Sequence, residues 1–399
     1  IRDSRGVAVT HANLAASIAA RDIWFDDGPD RFLVTSSPGF DSSVVGLYWP
    51  LATGGTVVVP GDDDVRDVDR LGSLIESHAV SHTLMVPSLA AALLDRAPAA
   101  VAALSVSIVA GEACPPALIE RHHAVAPGVT LVNEYGPTEA TVWSTAHRLG
   151  VGDDPVPIGG PIPGATARIV GADGFASPAE VAGELWIAGP GVTAGYVDDP
   201  ETTAKRFVEA DARRWYRTGD LVRAVDGIIR FLGRIDDQLN VGGVRVEPGE
   251  IERELDAVAG VSASVVVAAG DPQVLVAHLG ADAPVDDADL RARLRDALPA
   301  GAVPRRFVRQ DSLPRTANGK VDRAAAARLA IPEVEAGPAG DAVAGDTPLA
   351  EAVYEAWRAT FPGEPIAADT DFFALGGDSL MAVALVDRLG DRIGESVPI

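Results

Sequence analysis

The sequence predicts an α/β fold with a parallel sheet for residues 1 to about 150. Short apolar runs end in Gly or Pro, and amphipathic helical stretches separate them. Strands that alternate with helices favour a parallel sheet covered by helices on both faces. The apolar runs are 56–60, 82–87, 104–111 and 129–136, and the clearest helical stretches are 68–78 and 115–125.

The pattern changes at about residue 155. Short strand-like runs with close turns follow, at 165–174, 183–189 and 227–234. Close spacing of short strands is typical of a small antiparallel sheet or barrel. Residues 1–235 are therefore predicted to form one core subdomain, with its β-rich part at 155–235.

Residues 236–330 predict a separate α+β unit. Helical stretches at 248–258 and 287–298 flank strand-like runs at 263–270 and 273–280. The segment 331–346 is rich in Pro, Gly, Ala and acidic residues and indicates a linker.

Residues 347–399 predict a small helical domain. An amphipathic helix follows Thr347, a suitable N-cap, with Pro348 at the first helical position. The stretch DFFALGGDSL (371–380) then places Ser379 after two glycines and an aspartate, where a second apolar helix pattern begins.

Composition excludes several classes of protein. A chain of 399 residues with 47% hydrophobic residues suits two or three globular domains. The net charge of −24 argues against a nucleic-acid partner. The single cysteine, Cys114, excludes an intrachain disulfide framework and fits a reducing cytoplasm. Apolar runs fall short of the ~18 residues of a membrane helix.

The stretch NEYGPTEATVW (133–143) contains groups suited to a nucleotide with bound metal. Thr138 can donate to a phosphate oxygen, and Glu139 is a hard oxygen ligand for Mg²⁺. Tyr135 offers a flat face for a base. This turn alone is weak evidence, since a turn with a satisfied glutamate is common.

Three later stretches contain charged residues that could bind a nucleotide and the carboxylate of a substrate. Asp220, after a glycine in WYRTGDL, can accept both ribose hydroxyls, and Arg234 is a fixed cation. Acidic and glycine residues from Asp236 onward suggest a hinge. Lys320, in RTANGKVDR, can reach a carboxylate and a phosphoryl oxygen together, but its surroundings do not form a Walker motif.

Taken in order, these stretches resemble the core motifs of adenylation domains of nonribosomal peptide synthetases, within the adenylate-forming superfamily that includes acyl-CoA synthetases and luciferases. DFFALGGDSL resembles the motif of the peptidyl carrier (thiolation) domain that follows. The resemblance covers nearly the whole chain and implies an adenylate-forming fold plus an all-α carrier bundle. The matching stretches are FDSS (40–43), NEYGPTE (133–139), 183–196, YRTGDL (216–221), GRIDDQ (233–238) and NGKVDR (318–323).

The resemblance implies that an amino acid is activated by ATP as aminoacyl-AMP and transferred as a thioester to 4′-phosphopantetheine on Ser379. Mg²⁺, a separate phosphopantetheinyl transferase and neighbouring synthetase domains would be involved, with an MbtH-like helper as a further possible partner. Two alternatives stay open: an acyl- or aryl-CoA ligase, and a degenerate carrier module without catalysis.

Residue roles follow from the same resemblance. Lys320, Glu139 and Thr138 are the implied catalytic groups, with Glu139 as the metal ligand and Asp236 as the hinge. The implied nucleotide-binding residues are Tyr135, Gly136, Thr138, Asp220, Arg234, Gly111 and Glu112. The implied substrate pocket contains Asp41, Ser42, Val45, Leu84, Ile108, Ala110, Glu134, Val142, Trp143 and Lys320.

The pocket composition suggests tyrosine or a relative as the substrate. Asp41 would hold the α-ammonium group, since a buried ammonium needs a counter-charge. Glu134, if buried, needs a donor or cation, which a phenol or a basic tip of the substrate could supply. The alternative is that Glu134 faces away and the pocket takes an aliphatic side chain, and the bulk of Trp143 argues against an aromatic one.

Some positions depart from the family pattern. The chain opens at IRDSRGVAVTH, so the family's phosphate-binding loop is not within it, and ESVPI stops before the last carrier helices. We expect a fragment that is incomplete for turnover. Ala194, Asn240 and Gly242 stand where the family usually has cations, and two explanations stay open: slower thiolation, or sequence drift without a functional effect.

Overall fold

The structure is a computed structural model in which two compact units are distinguished, Arg5–Asp236 and Asp237–Ile399. Each unit is described by itself. The residues described are 6–61, 64–65, 67–171, 173–178, 180–236, 238–241, 244–269, 274–281, 285–298, 300–310, 312–315, 321–329, 348–361, 366, 370, 372 and 379–393.

The first unit is built on a mixed sheet of seven strands in the order β2-β1-β3-β4-β5-β6-β7. The strands are β1 Arg31–Val34, β2 Thr56–Val58, β3 His82–Met85, β4 Val106–Ala110, β5 Thr130–Tyr135, β6 Thr145–Arg148 and β7 Gly160–Pro161. Pairing is parallel from β1 to β5, and β6 and β7 are antiparallel additions. The α/β prediction is therefore confirmed, with an antiparallel edge that the apolar runs did not predict.

The second to sixth helices of the first unit connect the parallel strands, while the first helix precedes β1 and the seventh follows this sheet in the chain. The helices are α1 His11–Phe25, α2 Ser42–Thr53, α3 Val68–Ser77, α4 Pro87–Arg96, α5 Pro98–Ala102, α6 Pro116–Val125 and α7 Pro200–Arg206. A capping box starts α1: the Asn13 backbone N–H donates to Thr10 Oγ1 (3.1 Å), and the Thr10 N–H donates to Asn13 Oδ1 (3.0 Å). Each of α4, α5, α6 and α7 begins with proline, which has no N–H to leave unpaired.

The β-rich part of the first unit is an antiparallel sheet. Its strands are β8 Thr166–Val170, β9 Gly183–Ala188, β10 Phe207–Ala210, β11 Arg213–Val225 and β12 Ile228–Arg234. The order is β10-β11-β9-β8, and β12 also pairs with β11. Leu185, Ile187 and Val222 are fully or almost fully buried in its core. Of the predicted alternatives, sheet or barrel, the structure has the sheet.

The second unit begins with an α+β arrangement. It contains β13 Leu239–Val241, β14 Val244–Val246, α8 Pro248–Asp256, β15 Val261–Ala269, β16 Val274–Ala281, α9 Asp287–Ala297, β17 Arg306–Gln310 and α10 Arg323–Ala326. Alternation along β15 separates two cores: Val266 packs with Ile251 and Leu255 of α8, while Val265 and Val267 pack in the cluster that contains Ala326. The sequence did not predict β17, because only Phe307 and Val308 of its five residues are apolar.

Two helices of the predicted carrier region are described, α11 Pro348–Thr360 and α12 Ser379–Ile393. The rings of Trp357, Phe361 and Phe372 form a cluster with centroids 5.3 to 5.8 Å apart. Thr347 and the predicted linker 331–346 lie outside the described residues. In the described part of the chain, every helix is too short or too polar to cross a bilayer.

Candidate active site

Strand pairing brings the predicted nucleotide-binding charges together. In the antiparallel ladder of β11 and β12, Asp220 lies directly opposite Arg234. Arg234 Nη1 donates to Asp220 Oδ1 at 2.6 Å, and the Asp220 side chain is 8% exposed. A charge-assisted pair this close to full burial holds both groups in fixed positions.

Tyr135 joins the two sheets of the first unit. It ends β5, and its hydroxyl donates to Asp220 Oδ2 on β11. Burial, followed by the charge of Asp220, raises the pKa of Tyr135 well above its ordinary value, so the hydroxyl stays a donor. Both oxygens of Asp220 thus accept a bond from the protein. Since a carboxylate offers about four lone-pair sites, ribose hydroxyls can still be accommodated.

Asp236, the predicted hinge residue, accepts from two arginines. Arg234 donates through Nε (2.8 Å) and Nη2 (2.8 Å), and Arg206 donates through Nη2 (2.7 Å). Burial alone would raise the pKa of Asp236, but the hydrogen bonds and charges of both arginines outweigh it and hold the pKa below 3.8, its ordinary value. Gly219 has φ +75°, and a Cβ there would lie 2.6 Å from Asp236 Oδ2, so this network requires glycine.

Glu139 lies in a short 3₁₀ turn, Thr138–Ala140, directly after the Gly-Pro turn. The residue is 3% exposed, and the hydroxyl of Tyr196 donates to its Oε1 at 2.5 Å. Burial, followed by the nearby Tyr216 and Glu139, raises the pKa of Tyr196, so this donor also stays protonated. Among the residues that the structure describes, no three His, Cys, Asp or Glu side chains cluster as a metal site. Magnesium bound at Glu139 would therefore take most of its ligands from phosphates, as is usual for this ion.

Gly136 and Gly111 lie at backbone positions that require or favour glycine. A Cβ on Gly136 would lie 2.4 Å from Cα of Trp143, so only glycine lets the end of β5 pass the 142–144 segment. Gly111 has φ +84° at the end of β4. The next residue, Glu112, accepts from Ser88 N (3.2 Å) and Ser88 Oγ (3.1 Å) at the start of α4, where the helix dipole favours a carboxylate.

Six of the predicted substrate-pocket residues come together around α2 and the middle of the sheet. Asp41, Val45 and Trp49 follow one another at four-residue spacing, which places them on one side of α2. Val45, Leu84, Ile108 and Trp143 are at most 4% exposed and share one apolar cluster, against which Ala110 and Val142 pack. Ser42 Oγ donates to Ser36 Oγ at 2.9 Å.

Glu134 has a counter-charge within the chain. Arg21 on α1 donates to both of its carboxylate oxygens, Nη1 to Oε1 at 2.5 Å and Nη2 to Oε2 at 2.8 Å. The two side chains are 0% and 2% exposed. Arg21, and not a group of the substrate, thus supplies the cation that a buried Glu134 needs. The burial of Glu134 therefore does not argue for a substrate with a phenol or a basic side chain.

Three contacts at the site were missed by sequence reasoning: those of Arg21, Tyr196 and Arg206. Arg21 is the detectable one, since it is the sole arginine in an otherwise mostly apolar helix. Lys320 lies outside the described residues, and so does the side chain of Ser379, although α12 begins at that residue. These two roles stay predictions.

Three family models match successive segments of the chain. Residues 4–197 match the AMP-binding enzymes, 250–320 match the C-terminal domain of AMP-binding enzymes, and 351–399 match the phosphopantetheine attachment site. The chain belongs to the adenylate-forming, AMP-binding enzymes, and within them it is an adenylation domain of the nonribosomal peptide synthetase type followed by a carrier domain.

Individual relatives support the same assignment. The chain is 39% identical to novobiocin biosynthesis protein H of Streptomyces niveus over 96% of its own length and 64% of that protein. It is 35% identical to phenyloxazoline synthase MbtB of Mycolicibacterium paratuberculosis, over 97% of the chain and 34% of the synthase. It thus spans less than two thirds of these curated relatives. The solved structure of holo-PA1221, a nonribosomal peptide synthetase protein with adenylation and carrier domains bound to a vinylsulfonamide inhibitor, superposes with a TM-score of 0.79. The identity is 27%, and the match covers 99% of this chain and 67% of that one.

Proposed function

We propose that this chain activates an amino acid with ATP and transfers it to its own carrier domain. In the first half-reaction a carboxylate oxygen of the amino acid attacks the α-phosphorus of ATP. The bond to the bridging oxygen breaks, and pyrophosphate leaves. In the second, the phosphopantetheine thiol supplies the sulfur that takes the acyl group, and AMP leaves.

The cluster of Tyr135, Asp220 and Arg234 is the observation that carries this proposal. It sets a nearly buried carboxylate, held at 2.6 Å by a guanidinium, beside an aromatic ring at the end of a parallel strand. Crevices at the carboxyl ends of parallel strands are the usual ligand sites of such sheets. We assign the ribose to Asp220, the base to the ring of Tyr135 and the phosphates to the turn with Thr138 and Gly136.

Charge stabilisation rather than a covalent nucleophile suits phosphoryl transfer. Glu139, oriented by Tyr196, is proposed to bind Mg²⁺ that neutralises the phosphate oxygens. Lys320 is proposed to contact the substrate carboxylate and the transferred group. Asp236 is proposed as the hinge about which the C-terminal part rotates between the two half-reactions.

The substrate is proposed to enter along α2. Asp41 at the start of this helix is assigned to the ammonium group, and the apolar wall formed by Val45, Leu84 and Ile108 is assigned to the side chain. A CoA ligase for fatty or aryl acids has no ammonium to neutralise, so an acid at this position favours an amino acid. Tyrosine and aliphatic residues are the proposed candidates.

Ser379 is the proposed attachment point of phosphopantetheine. It is the first residue of α12, and its motif lies within the segment that matches phosphopantetheine attachment sites. A phosphodiester there would face the positive end of the helix dipole. A separate transferase, neighbouring synthetase domains and an MbtH-like helper are the proposed partners, and a reducing cytoplasm stays the predicted location.

Amino-acid-dependent exchange of labelled pyrophosphate into ATP tests the proposal in the full-length protein. We expect exchange with one or a few amino acids and none with fatty or aryl acids. Exchange with the latter alone would replace the proposal by a CoA-ligase function. Exchange with neither class, together with pantetheinylation of the wild type but not of Ser379→Ala, would leave a carrier module without adenylation.

A further inference from the structure

A buried ion pair lies against Trp49 and Trp143, in the apolar cluster that also contains the residues to which the substrate side chain is assigned. Arg21 and Glu134 form two parallel hydrogen bonds of 2.5 and 2.8 Å, and their side chains are 0% and 2% exposed. The bidentate geometry fixes the relative orientation of guanidinium and carboxylate. The pair joins α1 to β5, which are separated by 113 residues in sequence.

The pair lies beside residues of the proposed pocket. The guanidinium carbon of Arg21 lies 4.2 Å from the centroid of the Trp143 ring and 5.4 Å from that of Trp49. Glu134 lies opposite Ala110 in the ladder of β4 and β5. Asp41 and Trp49 are eight residues apart on α2, which corresponds to about 12 Å of helix. The ion pair therefore lies near Trp49, about two helical turns along α2 from Asp41.

Charge balance then limits the substrate. Asp41 and Lys320 are the proposed partners of the ammonium and carboxylate groups, so the backbone charges of the substrate are accounted for. Arg21 already neutralises Glu134. A cationic or anionic side chain would enter a buried site where neither charge of the pair is available, and proteins strongly disfavour an unpaired buried charge.

We propose that Arg21 is a specificity-determining residue: by neutralising Glu134 it restricts the substrate to amino acids with an uncharged side chain. This inference rests on the proposed amino-acid activation and narrows its substrate class. Arg21 acts through Glu134 and through the ring of Trp143 on which it stacks, so it is a positioning residue rather than a catalytic one.

The wild-type test uses pyrophosphate exchange in the full-length protein with neutral amino acids (leucine, phenylalanine, tyrosine), basic ones (lysine, ornithine, arginine) and acidic ones. We expect exchange with neutral members and background rates with both charged groups. A basic or acidic amino acid as the best substrate would overturn the inference and leave amino-acid activation intact. No exchange with any of them would instead contradict the proposed function.

Two single variants with opposite charge effects test the role of Arg21. Arg21→Met leaves the Glu134 carboxylate without its cation, so the ratio of kcat/KM for basic over neutral substrates should rise at least about 10-fold. Glu134→Gln leaves the Arg21 cation, so the ratio for acidic over neutral substrates should rise instead. The double variant, which has neither charge, should restore a preference for neutral substrates.

A merely structural pair would behave differently. Loss of packing lowers kcat/KM for every substrate by a similar factor and leaves both ratios unchanged, and that result would overturn the inference. ATP affinity and thermal unfolding monitor folding of each variant. If Arg21→Met does not fold, the test uses Glu134→Gln and the double variant. The inference then predicts a shift toward acidic substrates in Glu134→Gln and the loss of that shift in the double variant.

Discussion

The hydroxyl of Tyr196 donates a hydrogen bond of 2.5 Å to Oε1 of Glu139. This bond orients a buried carboxylate, and its donor lies 57 positions further along the chain. If Glu139 binds Mg²⁺, Tyr196 is the outer partner that aims its other oxygen at the metal. Loss of such outer partners typically costs about 10- to 100-fold in metal affinity. The pair thus links the turn after β5 to the end of the 183–196 stretch, and it gives Tyr196 a role that the sequence did not indicate.

The first prediction concerns Tyr196→Phe. We expect the Mg²⁺ concentration for half-maximal pyrophosphate exchange to rise about 10-fold or more, since the carboxylate loses its orienting donor. Titration of Mg²⁺ at saturating ATP measures this. Tyr48→Phe, at a half-exposed tyrosine on α2, is the matched control and should not change the requirement. An unaltered Mg²⁺ dependence in Tyr196→Phe would remove Glu139 from the metal site.

A second prediction compares the loss of the Asp220 charge, which would bind the ribose, with the loss of the Tyr135 hydroxyl, which only holds Asp220 in place. Hydrogen bonds to a charged group are worth about 1.5–3 kcal/mol, so Asp220→Asn should weaken AMP binding by about 10- to 150-fold. Tyr135→Phe removes a protein donor from the same carboxylate but keeps the acceptor for ribose, so its effect should be smaller. Calorimetry with AMP and a deoxy analogue gives the comparison.

The deoxy analogue supplies the decisive control for Asp220. Wild type should bind it more weakly than AMP, and Asp220→Asn should discriminate much less between the two ligands, because the group that reads the hydroxyl has lost its charge. Equal discrimination in wild type and variant would contradict ribose binding by Asp220.

A third prediction concerns stability and pH at Asp236. A carboxyl whose pKa is lower in the folded than in the unfolded state stabilises the fold above the unfolded pKa, and this stabilisation is lost as the pH falls through the folded value. Two arginines hold the pKa of Asp236 below 3.8. Asp236→Asn should therefore lower the free energy of unfolding by about 1–2 kcal/mol at pH 7, a value reduced for partial exposure.

Denaturant unfolding as a function of pH measures this difference, which should shrink below about pH 4 as the wild-type carboxyl becomes protonated. The control is Asp211→Asn, whose 2.6 Å pair with Arg168 involves a side chain that is 68% exposed. Its effect should be about 0.5 kcal/mol or less. A pH-independent loss in Asp236→Asn would mean that lost packing, rather than charge, explains it.

Local patterns in the sequence predicted four of the five parallel strands, because β2 to β5 lie in apolar runs that end in Gly or Pro. The remaining parallel strand, β1, was not predicted. The patterns also did not predict β6, whose residues Thr145–Arg148 alternate too briefly, or β17, which has two apolar residues. The motif residues around Asp220 and Glu139 were named from the sequence. Arg206, which donates to Asp236, and Tyr196, which donates to Glu139, were not named, since only the packing of distant strands and loops brings these partners into contact.

The partner of Glu134 shows the same limit. The sequence indicated that a buried carboxylate there needs a cation, which is a local argument. That the cation is Arg21 depends on tertiary packing, which places this residue of α1 against the rings of Trp49 and Trp143. No spacing rule relates residues 21 and 134. Because the sequence does not reveal this contact, it suggested that the substrate supplies the partner of Glu134.

The last prediction concerns Gly136, in the turn to which the phosphates are assigned. A Cβ at this position would lie 2.4 Å from Trp143 Cα and 2.6 Å from Val142 O. Both are backbone atoms, so a side-chain rotation cannot relieve the overlap. Gly136→Ala should lower the free energy of unfolding by about 1–3 kcal/mol, as overpacking does, and weaken AMP binding as Tyr135 and Thr138 shift. Gly160→Ala on β7 is the matched control, because its Cβ would meet nothing within 4 Å. Urea unfolding and AMP titration of both variants measure the effects, and equal stability and affinity in the two would show that the close approach at Gly136 does not constrain this turn.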